Sequence, residues 1–123
     1  MSTWKNRPLP ARFACALRGF AQALSSEQSL KMQLLALALV VALLWKLNPG
    51  ALWWALVLAS SATVLATELL NTALEQLADA LHPQESEAIR SVKDCAAAAV
   101  LLASLGALAV ATALGAHLLA GGR

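Results

Sequence analysis

From Glu68 to Asp79 the sequence reads Glu-Leu-Leu-Asn-Thr-Ala-Leu-Glu-Gln-Leu-Ala-Asp, with carboxylates at 68, 75 and 79 and an amide at 71. At 3.6 residues per helical turn, Glu68, Asn71, Thr72, Glu75 and Asp79 fall on one narrow stripe. Glu68 directly follows seventeen uncharged positions, Ala51–Thr67, so it stands at or just inside a membrane boundary. Acids at that depth are costly unless paired, hydrated or metal-bound, and they mark function by default. Carboxylates sharing a stripe repel one another unless a cation sits among them. Carboxylate and amide oxygens suit a hard ion, and Mg²⁺ takes one or two carboxylates together with phosphate oxygens. The plain alternative, a solvated helix face, competes seriously only for Asp79.

Two smaller constellations accompany the stripe. Lys93-Asp94 opens the last apolar block. A lysine there could simply anchor a helix at the interface, but an anchor needs no acid beside it. A lysine that reaches phosphate oxygens, with an aspartate to hold it or a metal, fits phosphoryl transfer better. Glu27 and Lys31 stand four residues apart at the start of the first apolar block. Taken alone they read as a helix-surface ion pair worth a few tenths of a kcal/mol. No G-x-x-x-x-G-K-[ST] loop, glycine-rich nucleotide fingerprint or nucleophile elbow is present. Any nucleotide must therefore be held by helix ends and loops. Nothing in the chain matches a nucleic-acid-binding motif, and no nucleic-acid partner is expected.

The elements that must carry these residues are membrane helices. The chain has 123 residues, of which 59% are apolar and 13% charged. A soluble domain of that size has too little interior for so much Leu, Ala and Val. The apolar residues also come in long blocks. Met32–Trp45 holds one polar residue, Gln33, while Ala51–Thr67 and Cys95–Ala120 hold no charge. About 20 helical residues span a bilayer core. The spacing therefore predicts spans over 27–47, 51–81 (with an extension beyond the bilayer) and 86–120. Ser25-Ser-Glu27 is expected to cap the first, Asn48-Pro-Gly50 to separate the first two, and His82-Pro83 to end the second. Residues 1–24 form an N-terminal segment and an amphipathic surface helix, in which Phe13, Ala16, Leu17, Phe20, Ala23 and Leu24 recur at helical spacing. Lys5, Arg7, Arg12, Arg18 and Lys31 precede or open the first span, and Arg90 and Lys93 sit in the second connection. The excess of positive charge places the N-terminus and that connection in the cytoplasm. Cys15 and Cys95 then lie on the reducing side, where a disulfide is not expected.

The pattern Glu68-x-x-Asn71-Thr-Ala73-x-Glu75, followed by Lys93-Asp94 and an Ala-rich run, resembles the bacterial diacylglycerol kinase/undecaprenol kinase family. The likeness extends to Glu27, to Phe13-x-x-Ala16-x-x-Gly19 and to Asp79, and covers nearly the whole chain. It implies an all-α integral membrane protein of the bacterial inner membrane, a homotrimer with a surface helix and three transmembrane helices per subunit. It also implies active sites between subunits on the cytoplasmic side, fed by lipid from the bilayer and by ATP with Mg²⁺ from the cytoplasm. By the same resemblance Glu68 is the general base, and Glu27 and Glu75 hold the metal. Lys93, Asp94, Asn71, Asp79 and Arg12 face the nucleotide or substrate.

This sequence departs from the family's diacylglycerol-specific members in the first span and the surface helix. Lys31-Met32-Gln33 stands where many of them carry Arg followed by Gln-Glu, and Cys15 and Leu17 stand at aromatic positions of their surface helix. Trp4-Lys5-Asn6-Arg7 and Glu27-x-x-x-Lys31 look closer to the undecaprenol-kinase branch. The expected reaction is phosphorylation of a lipid hydroxyl, with diacylglycerol giving phosphatidic acid as the first reading and undecaprenol as the alternative. Two readings from other classes compete. A membrane adaptor would use the acidic stripe to bind a partner helix and would tolerate Gln at 68 and 75. A cation or proton transporter would want acids near the bilayer midplane, whereas here they gather at one edge.

Overall fold

The computed structural model describes residues 6–122; Met1 to Lys5, with Trp4 of the resemblance above, and Arg123 lie outside it. The described residues form four helices: α1, Leu9–Ser26; α2, Gln28–Leu47; α3, Ala51–Leu81; and α4, Glu87–Leu119. No strand occurs among them. The last three are each long and apolar enough to cross a membrane.

The breaks follow from local chemistry. Pro8 caps α1 and Pro10 sits in its first turn, where the missing amide hydrogen removes no helical bond. Ser25 and Ser26 do not cap α2 as the sequence suggested. Their hydroxyls donate back to the carbonyls of Gln22 (2.7 Å) and Ala23 (3.2 Å), which prolongs α1 to Ser26. Glu27 alone is extended (φ −105°, ψ 114°) and makes the corner between α1 and α2. Between α2 and α3 the chain needs left-handed backbone twice. Asn48 takes φ 44° and donates its amide to the Leu44 carbonyl at 2.8 Å, and Gly50 takes φ 109°. Asn and Gly are the residues that visit positive φ at least cost. Ser86 begins α4 by accepting the Ile89 amide at 3.3 Å.

Length decides where the stripe ends up. At 1.5 Å per residue the 31 residues of α3 extend about 46 Å, against a hydrocarbon core of about 30 Å. If α3 enters the core near its Trp53-Trp54 pair, about 20 residues carry it across, so Glu68 lies just inside the far boundary and the helix continues beyond it to Leu81. The 33 residues of α4 overshoot in the same way at the Lys93 end.

α3 and α4 run packed together along their length, α2 lies against them with a smaller contact, and α1 folds back to touch α2 and α3. The main apolar cluster is Leu44, Val57 and Leu114, surrounded by Val40, Trp53, Trp54, Val110 and Leu118. Beside this cluster, and lined in part by its Val57 and Leu114, a cleft of about 460 Å³ opens between α2, α3 and α4, from Gln33 at one end to Leu118 at the other. Many large apolar side chains point outward, Trp45 at 81% and Leu119 at 91% exposure among them. Such a surface suits lipid or other membrane helices and would be insoluble in water.

Candidate functional site

The stripe on α3 emerges by degrees from the protein. Glu68 (8% exposed) and Thr72 are buried, Asn71 and Glu75 are half-buried, and Asp79 is exposed. The 3.6-residue period that aligned them also turns the first ones toward α2.

Glu68 is held from α2. Its Oε1 accepts a hydrogen bond from Ser29 Oγ, and its Oε2 accepts one from Gln33 Nε2 at 3.3 Å. Ser29 and Gln33 are four residues apart, hence on one helix face, and α2 presents that face to α3. The amide oxygen Oε1 of Gln33 is buried without a partner. Sequence reasoning about the site missed both residues. The available signal was that Gln33 is the single polar residue of Met32–Trp45, with a serine one turn before it.

One turn further along α3, Asn71 Nδ2 donates to Glu75 Oε1 at 3.2 Å, and Asn71 Oδ1 is buried with no partner. A carboxylate beside an orphaned amide oxygen is an oxygen-donor pair of the kind hard cations take. Two more turns on, Asp79 Oδ1 accepts from Lys93 Nζ at 2.6 Å, tying the end of α3 to the start of α4. This pair is partly solvated, so its worth lies at the low end for ion pairs. The neighbouring Asp94 is exposed.

The remaining sequence-predicted residues lie on α1 or at its end. Glu27, half-buried at the α1–α2 corner, makes no side-chain bond to the α2 amides and none to Glu75. Its expected partner Lys31 meets it only through the backbone, amide to carbonyl at 3.4 Å. Arg12 is exposed on the first turn of α1. Among the described residues no three His, Cys, Asp or Glu side chains gather in a ready cage for a metal.

On α1 the Cys15 sulfur accepts from Arg18 at 3.1 Å and from Arg7 at 3.2 Å. The Arg18 bond, helped by that of Arg7, holds the thiol below the usual cysteine value. At the opposite end of the bundle Trp53 stacks on His117 with centroids 5.2 Å apart, and Trp45 meets Trp54 edge-on at 6.3 Å.

Comparison with known proteins adds two findings. A family model described as prokaryotic diacylglycerol kinase matches residues 14–114. That stretch contains Glu27, Glu68, Asn71, Glu75, Asp79, Lys93 and Asp94, while Arg12 falls just outside it. A curated protein of Synechocystis sp. named diacylglycerol kinase is 32% identical over 111 residues, covering 89% of this chain and 63% of the relative. The chain thus spans less than two thirds of the length of that relative.

Proposed function

The chain belongs to the prokaryotic diacylglycerol kinase family, and on that premise we propose that it transfers the γ-phosphate of ATP to the hydroxyl of a membrane lipid. The substrate proposed is diacylglycerol and the product phosphatidic acid. The observation that carries the reading is a buried carboxylate, Glu68, at the place where α3 leaves the apolar span, fixed by two donors from α2.

A lipid hydroxyl at headgroup depth meets that carboxylate without leaving the bilayer. Glu68 accepts the hydroxyl proton as the new oxygen–phosphorus bond forms. The bond from the γ-phosphorus to the β–γ bridging oxygen breaks, and ADP carries away its electrons. Phosphoryl transfer needs charge neutralisation and alignment more than covalent chemistry, so a few polar side chains at helix ends suffice. Lys93, released from Asp79 or sharing it, supplies positive charge for phosphate oxygens, and Asp94 beside it faces the aqueous side. Glu75, the orphaned Asn71 Oδ1 and Glu27 would be the residues that hold a Mg²⁺ ion. When bound, that ion neutralises phosphate charge. The active sites lie between the subunits of a homotrimer in this reading, as the family resemblance implies. The N-terminus and the connection from α3 to α4 are assigned to the cytoplasm by their Arg and Lys content.

Undecaprenol is the second reading for the acceptor, favoured by one observation. One of the two side chains bonded to Glu68 is Gln33, at a position where, by the resemblance, many diacylglycerol-specific members carry an acid. The test uses purified protein in mixed micelles with γ-labelled ATP and Mg²⁺, offered diacylglycerol and undecaprenol in parallel. Label entering diacylglycerol, and lost in Glu68→Gln or without Mg²⁺, supports the reading. Label entering undecaprenol alone moves the substrate to the second reading. If well-folded protein labels no lipid, the kinase is rejected and the acidic stripe becomes a partner-binding or ion site.

A further inference from the structure

We propose that Ser29 and Gln33 are positioning residues for the transfer reaction: acting together from α2, they aim the Glu68 carboxylate at the lipid hydroxyl. The inference rests on the kinase reading above and adds to it a task for α2. Ser29 occupies one carboxylate oxygen and Gln33 the other, so the plane of the group is fixed from both ends. A carboxylate has about four lone-pair sites; each oxygen keeps one free for a hydroxyl arriving from the far side. The unpartnered Gln33 Oε1 lies at the end of the cleft between α2, α3 and α4. Gln33 thus joins the carboxylate it holds to the end of that cleft.

A bland account would make these bonds fasteners of α2 to α3. Two features argue for more. α2 buries Leu44 at the opposite end and Leu30 beside Ser29, so apolar contacts anchor it without the polar pair. A serine and a glutamine facing into an apolar helix pair are also costly without partners. Both residues bond the same carboxylate and nothing else among the described residues.

Positioning and fastening separate in kinetics. The experiment measures initial rates in mixed micelles against lipid and MgATP for wild type, Ser29→Ala, Ser29→Thr and Gln33→Leu, each checked for helicity and a single size-exclusion peak. A misaimed base loses turnover, so Ser29→Ala and Gln33→Leu are each expected to lower kcat by about ten- to hundredfold. The KM for MgATP should stay within about twofold, and Ser29→Thr, which restores a hydroxyl, should recover most of the loss. In a Glu68→Gln background, Ser29→Ala should cost almost nothing more, since its partner no longer acts as a base. The proposal is overturned if both substitutions leave kcat near wild type, or if the Ser29→Ala loss multiplies in full onto that of Glu68→Gln. Wild-type protein inactive on every lipid overturns the kinase reading itself, a different result from an active enzyme indifferent to Ser29 and Gln33.

Discussion

At one end of the bundle Leu44, Val57 and Leu114 close on each other among Trp53, Trp54, Val110 and Leu118. At the other, the helices meet through Ser29, Gln33, Glu68, Asp79 and Lys93. The first end joins its helices by shape alone, the second adds hydrogen bonds and charge around the buried Leu30 and Ala78. Water does not drive helices together inside a bilayer, so close van der Waals fit does most of the joining there. Buried polar contacts contribute less net stability and cost more when broken. The division suggests that the apolar end sets the arrangement of the spans and leaves the polar end free to hold groups whose job is chemistry.

Substitutions at each end sharpen or break that contrast. The largest effect is expected from Glu68→Gln, which removes the proposed base and keeps the shape. Phosphate transfer should fall by about 10²- to 10⁴-fold, measured with γ-labelled ATP. Next comes Leu44→Ala, which empties space in the apolar cluster. A loss of about 1–3 kcal/mol is expected, read as a lower unfolding midpoint in detergent, with kcat per folded molecule unchanged. A smaller effect is expected at Asp79. Asp79→Asn should shift stability by less than about 1 kcal/mol because the pair with Lys93 is partly solvated, whereas Lys93→Met should raise the KM for ATP. A drop in stability at Asp79 as large as that at Leu44 would erase the contrast.

The smallest effect lies outside both ends, on α1. Bonds from Arg18 and Arg7 keep the Cys15 thiol low, so it should be alkylated by iodoacetamide at a lower pH than an unassisted thiol. The sign follows from charge: a cation favours thiolate, and thiolate is the form that reacts. Arg18→Gln should therefore move the alkylation profile of Cys15 to higher pH and leave that of Cys95 in place.

The sequence announces the helices plainly, because uncharged blocks, prolines and Asn48-Pro-Gly50 act locally. The stripe from Glu68 to Asp79 was legible for the same reason, since helical period alone aligns it. Which face meets which was hidden. Ser29 and Glu68 are 39 residues apart, and no spacing rule couples a serine on one span to an acid on another. The Asp79–Lys93 pair bridges a turn in the same way, so each residue was recognised and their bond was not. Ser25 and Ser26 misled in the other direction. Serines before a helix are good caps, yet a hydroxyl can equally bond back to the carbonyl three residues earlier, and here both do.

The most direct measurement takes wild type, Glu68→Gln and Leu44→Ala side by side in one bilayer preparation. Phosphate transfer to lipid per folded molecule and the thermal unfolding midpoint are recorded for each. Glu68→Gln should retain most of its midpoint and lose its activity, while Leu44→Ala should keep its activity and lose midpoint. An active Glu68→Gln variant, or a Leu44→Ala variant inactivated while still folded, would contradict the assignment of chemistry to one end and packing to the other.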